Sequence, residues 1–315
     1  SYVFDLPLSL LQDEFSVAYA VNSLVDRLYK KGYIYAEIRF APQLHTRKGM
    51  SQEDAVISAC AGLRNALKNK KDFSANLILC MMRQADNDVN IEAIRLADKY
   101  RNSGVVAVDL AGPEAYRPGT YYIPLFEEAY KRNLNITVHA GEACGSIEVE
   151  TAVNLLHAKR IGHGVHLNIN FQNVKTMVEH GITFEFCPTS NLQTTSIASY
   201  EKFPLREFDR FGLFVTINSD NMTVSNTDVL KEYRHLFKTF KLTKYEVRHL
   251  LVNSINAAFI SLDKKQVLMR ELDKKLDNFY VGSVEYPFLI FEGVRLGLAP
   301  RSAPEKTKMD IQTPA

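Results

Sequence analysis

The sequence predicts an α/β fold of parallel strands closed into a barrel. Three observations predict it. Short β-branched, apolar runs recur along the 315 residues. Amphipathic stretches, long enough for helical crossovers, separate them. Residues suited to catalysis sit at the ends of several of these runs. The βα rhythm permits either an open doubly wound sheet or a barrel. Side chains gathered from many strand ends are barrel logic, because an open sheet collects its ligand at one switch point.

Taken in order, Val17, Val21, Leu24 and Leu28 recur at helical spacing, and Gly32 supplies a stop. Residues 33–40 read as the first strand. Further strands are expected over 76–81, 105–110, 135–139, 160–163, 182–187 and 213–219. Helices are expected between them over 52–68, 91–101, 124–132, 147–157, 171–180 and 200–210. Three more follow, over 228–238, 245–260 and 264–276. The barrel is expected to occupy 1–280. Residues 281–315 form a divergent segment in which 285–291 is apolar enough to pack. The polar Pro/Lys/Thr stretch 301–315 is expected to be a disordered tail.

Composition excludes several classes. Hydrophobic residues make up 46% and charged residues 23%, ordinary for a folded globular chain. The net charge of +2 gives no basis for a nucleic-acid partner. No apolar run is long enough for a bilayer, so no membrane partner is expected. Residues 1–11 lack a signal-peptide pattern. The first residue is Ser rather than Met, read as a processed end or a boundary. Cys60, Cys80, Cys144 and Cys187 form no CxxC pair and read as reduced thiols, implying a cytoplasmic protein.

Three motifs end strands. In His139-Ala140-Gly141-Glu142, an imidazole suits a metal and a nearby carboxyl suits acid–base work. In Gly162-His163-Gly164, the glycines permit a sharp turn around an accessible imidazole. In Asn218-Ser219-Asp220-Asn221, a carboxylate ends an apolar strand. Each has a bland alternative: a hydrogen-bonded structural His, a plain turn, or a helix cap. Their order along the chain is far more specific than any one of them.

That series, with Tyr35-Ala36-Glu37-Ile38-Arg39-Phe40-Ala41-Pro42, Val108-Asp109-Leu110-Ala111-Gly112 and Cys187-Pro188-Thr189-Ser190-Asn191-Leu192-Gln193-Thr194, resembles the adenosine deaminase family over 15–276. The resemblance implies a TIM-type (β/α)8 barrel, one divalent metal, usually zinc, and hydrolytic deamination of adenosine to inosine and ammonia. It implies His139 and Asp220 as metal ligands, with Asp220 counted also in the catalytic set. His163 would orient the water and stabilise the oxyanion. Glu142 would protonate the purine ring, a role that needs a protonated carboxyl. The Gly112 backbone would approach another ring nitrogen, and Asp109 would stand behind the site. Asn221 replaces an aspartate found in many relatives, and its amide donates at every pH. The implied partner is a small purine nucleoside, and self-association is compatible with it.

The family's first strand ends in His-x-His. None of this chain's eight histidines form such a pair. The first βα unit is therefore expected to be missing, leaving seven strands and an incomplete metal shell. Three explanations remain open: a truncated chain, a strand supplied by another copy or chain, or a relative that no longer catalyses. The functional alternatives are an adenine or related purine deaminase, and a non-catalytic nucleoside-binding protein. A sugar-phosphate barrel is disfavoured, because 191–199 contains no glycine for a phosphate loop. The zinc deaminases of another fold are excluded, because a P-C-x-x-C half is lacking.

Overall fold

A computed structural model describes residues 2–280. The expected divergent segment and tail, 281–315, lie outside the described residues. Seven strands form one parallel sheet in sequence order. They are β1 (Tyr35–Phe40), β2 (Ser74–Met82), β3 (Val105–Ala111), β4 (Asn135–Ala140), β5 (Arg160–His163), β6 (Thr183–Phe186) and β7 (Phe214–Ile217). All seven expected strands are present, differing from expectation only at their ends. β1 and β7 are its two edges and do not pair with each other.

The sheet is strongly curled, and charged side chains prove it. In a flat sheet β1 and β6 would stand about 24 Å apart, five strand spacings. Yet Arg39 on β1 reaches Glu185 on β6 at 2.6 Å, and Arg160 on β5 reaches Glu37 on β1 at 2.6 Å. Only curling of the sheet around an interior brings these together. Arg160 Nε also meets Glu185 at 2.6 Å, and Arg39 Nη1 meets Asp109 at 3.0 Å. A ladder of alternating charge, Glu37–Arg160–Glu185–Arg39–Asp109, thus fills the barrel interior. Tyr35 Oη and the Phe259 amide donate to Glu37 at its lower end, both at 2.8 Å.

Helices cover the outside. They are α1 (Tyr2–Leu10), α2 (Glu14–Lys30), α3 (Gln52–Leu67), α4 (Asn87–Lys99), α5 (Ile123–Lys131), α6 (Ser146–Asn154), α7 (Phe171–Glu179), α8 (Pro188–Gln193), α9 (Leu205–Arg210), α10 (Val229–Phe240), α11 (Lys244–Ala257) and α12 (Leu262–Tyr280). Val17, Val21, Val25 and Leu28 form the buried stripe of α2, which packs on α3. Capping boxes start α2 (Asp13 with Ser16), α3 (Ser51 with Asp54) and α11 (Thr243 with Glu246). α11 packs on β7, where Asn253 Nδ2 donates to the Val215 carbonyl at 3.1 Å.

Three elements differ from the sequence reading. The expected helix over 200–210 is a 3-10 turn, Tyr200–Lys202, followed by α9, because Pro204 cannot continue the ladder. α8 was unforeseen; Pro188 sits at its start, where its missing N–H costs nothing. α1 was also unforeseen and contains Pro7.

Candidate active site

The carboxyl ends of the parallel strands deliver the expected residues to one mouth of the barrel. His139, near the end of β4, is held from behind. Its Nδ1 lies 3.1 Å from Asp109 Oδ1 and 3.0 Å from Oδ2. Asp109, on β3, is fully buried and also accepts from Arg39. Burial acts to raise the Asp109 carboxyl, but His139 and Arg39 outweigh it and hold it well below the usual carboxylate range. Burial acts to lower the His139 imidazole, but the Asp109 carboxylate prevails and pushes it up to about 9. The carboxylate fixes a proton on Nδ1, so Nε2 is the ring nitrogen that would be left to meet a metal. Gly162 on β5 makes room for this ring, since a Cβ there would stand 3.1 Å from His139 Cγ.

His163 ends β5 and is buried. Its ring centroid lies 5.3 Å from that of His139. Asn191, on α8, places Nδ2 at 3.1 Å from His163 Nδ1. His163 Nε2 faces Glu142 Oε2 across 3.6 Å. Asp220 follows β7, with Ser190 Oγ donating to Oδ2 at 2.7 Å and Asn221 Nδ2 donating to Oδ1 at 2.9 Å. His163 (φ 62°) and Asp220 (φ 50°) both hold left-handed backbone, strain that clusters where geometry is over-determined by function. Gly112, just after β3, has φ 98°, a conformation that suits a residue without Cβ.

The structure therefore brings His139, Glu142 and His163 together, with Asp220 close enough for its charge to act on His139. Asn221 is exposed and directs an amide hydrogen to Asp220. Asp220 is exposed as well. As a metal site the donor set fits in part. His139 and Asp220 have suitable chemistry, but among the described residues no three His, Cys, Asp or Glu side chains converge on a metal position. Two donors are half of a four-coordinate zinc shell. His166 lies on an exposed turn after β5.

Sequence reasoning missed several supports. Arg39 and Glu185 carried a signal, as charges inside otherwise apolar strands. Glu114 carried none. It lies buried in a 3-10 turn after β3 and accepts from the amides of Gly141, Glu142, Ala143 and Cys144 at 2.5, 3.1, 2.8 and 2.7 Å. Arg83 was missed too; its Nη2 donates to the His139 carbonyl at 3.0 Å.

Comparison with known proteins agrees with this architecture. The family model described as adenosine deaminase matches residues 3–275. An adenosine deaminase of Haemophilus ducreyi is 45% identical over 276 residues, covering 86% of this chain and 80% of that protein. One of Clostridium botulinum is 39% identical over 266 residues, covering 84% and 79%. Among solved structures, an adenine deaminase of Arthrobacter aurescens superposes with a TM-score of 0.79 at 25% identity, covering 87% of this chain and 84% of that one. The N6-methyl-AMP deaminase of Arabidopsis thaliana gives 0.80 at 25% identity, covering 87% and 82%. With the family model spanning nearly every described residue and the motif residues gathered at one barrel mouth, the chain belongs to the adenosine deaminase family.

Proposed function

We propose that this chain deaminates adenosine hydrolytically, giving inosine and ammonia. One observation carries the reading: Glu142 and His163 face each other across 3.6 Å, beside a His139 whose Nδ1 is held by Asp109. Glu142 hands a proton to the ring nitrogen next to the attacked carbon, so that water can add there at less cost to aromaticity. His163, kept in register by Asn191, orients that water and stabilises the oxyanion that develops. The backbone at Gly112 approaches another ring nitrogen. Asn221 contributes amide hydrogens whose donor capacity does not vary with pH.

His139 and Asp220 would hold a divalent metal, zinc in this reading. When bound, it supplies the Lewis acidity that makes water nucleophilic near neutral pH. A solved amidohydrolase of related fold carries bound zinc. Adenosine is favoured over adenine as substrate by the 45% identity to an adenosine deaminase against 25% to an adenine deaminase. A small purine partner is in keeping with the complexes of an Arabidopsis relative with IMP and GMP. No helix among the described residues is long and apolar enough to cross a membrane. Among the described residues the four cysteines form no disulfide, which suits a reducing, cytoplasmic setting.

The test is zinc content measured alongside adenosine turnover, for the chain alone and with a family-type His-x-His strand fused ahead of residue 1. About one zinc per chain with inosine formation in either form supports the reading. Stoichiometric zinc without turnover in both forms would favour a nucleoside-binding role instead.

A further inference from the structure

We infer that Glu114 is a positioning residue for Glu142, a role that rests on the proton-transfer reading above. Its carboxylate is the anion in a cradle of four successive main-chain amides, Gly141 to Cys144. Consecutive N–H groups turned inward make a concave anion site. Here the protein fills that site with its own buried side chain.

The rest of this segment is equally constrained. The His139 carbonyl accepts from Arg83, the Ala140 carbonyl from the Gly164 amide at 3.0 Å, and the Gly141 carbonyl from the His166 amide at 3.0 Å. Arg83 is fixed in turn, because Tyr122 Oη donates to its carbonyl at 2.7 Å. Arg83 and neighbouring backbone hold the carbonyls, and among the described residues Glu114 alone holds the four amides. The Cα of Glu142 therefore stands where Glu114 puts it. Glu114 also follows Gly112 by two residues, so one carboxylate ties the β3 loop to the β4 loop. It sets the separation of two groups that contact the same purine ring.

Glu114→Gln keeps the size of the side chain but turns an amide donor toward N–H groups that need an acceptor. The test measures binding of purine riboside and its 1-deaza analogue by titration calorimetry, together with amide hydrogen exchange at 141–144. The two ligands differ only at the nitrogen that Glu142 protonates. The unaltered chain is expected to prefer purine riboside by about tenfold, the upper scale of one neutral hydrogen bond. In Glu114→Gln the preference should fall below about threefold, with the 1-deaza affinity held within about twofold. Exchange at the four amides should rise by about tenfold or more while β2 and β6 stay protected.

Retained preference, equal weakening of both ligands, or unchanged exchange at the four amides would overturn the proposal. The same pair of ligands on Glu142→Ala tests the underlying reading separately. Preference that survives there, or is absent from the unaltered chain, removes the role of Glu142 and the proposal with it. Preference lost in Glu142→Ala but kept in Glu114→Gln removes the role of Glu114 alone.

Discussion

Both carboxylate oxygens of Asp109 stand within 3.1 Å of His139 Nδ1, so this imidazole offers only Nε2 to anything in the barrel mouth. Asp109→Asn keeps the shape but removes the charge that fixes the tautomer. Zinc affinity is expected to fall by about 10- to 100-fold. Competition with a chelator of known affinity measures it, and an unchanged constant would refute the coupling.

His163 has Asn191 as its partner at Nδ1. Asn191→Leu leaves that nitrogen without a partner and lets the ring turn. Turnover should drop by about tenfold or more while the Michaelis constant stays within about threefold, the pattern of an interaction made mainly in the transition state. A raised Michaelis constant with unchanged kcat would place Asn191 in ground-state binding instead.

The interior ladder predicts a stability effect separable from catalysis. Arg160 joins Glu37 and Glu185 and lies 3.8 Å over the Phe259 ring. Arg160→Leu leaves the buried Glu37 without its cation and Glu185 with Arg39 alone, and should cost about 3–5 kcal/mol. Arg160→Leu combined with Glu37→Gln and Glu185→Gln should recover part of that loss in urea unfolding. Equal loss in both variants would mean that packing, not charge, sets the cost.

His45 gives the fold a pH dependence. It is buried with Nδ1 at 2.7 Å from the Leu11 carbonyl, and burial lowers its pKa against that hydrogen bond. The unfolded chain therefore takes up a proton at higher pH than the folded one. Stability from this group is complete above the unfolded value, near 6.5, and is lost as pH falls toward the folded value. Denaturant midpoints should decline between about pH 7 and pH 5. His45→Asn should be less stable at pH 7 but lose less over the same interval.

Asn221→Asp exchanges a permanent donor for one that donates only when protonated. Turnover should be reduced near pH 7, and the loss should shrink as pH falls toward about 4, where an exposed aspartate regains its proton. Equal losses at both values would exclude Asn221 as a donor to the purine.

The strands were legible because parallel strands under helices are apolar and bounded by turns. The residues of the mouth were legible because barrels place chemistry at strand ends. Pro204 was visible in the sequence, yet the apolar rhythm around it hid the break it makes. Glu114 was not legible: its cradle lies 27 to 30 residues away, and a carboxylate after Gly-Pro reads as an ordinary surface turn. Arg39 and Glu185 were visible as charges in strands, but their pairing depends on the curl of the whole sheet, which no local pattern records.

The left-handed backbone at His163 and Asp220 sets stability against activity. A non-glycine residue held there costs about 1–3 kcal/mol, which glycine would largely relieve. Selection for thermal resistance alone would therefore drift toward Asp220→Gly, at an exposed position where only the hydrogen bonds from Ser190 and Asn221 oppose the change. If Asp220 holds the metal as proposed, such a variant should melt higher and lose turnover. A library built for robustness should hold these two positions fixed, since there a rising Tm signals damage rather than improvement.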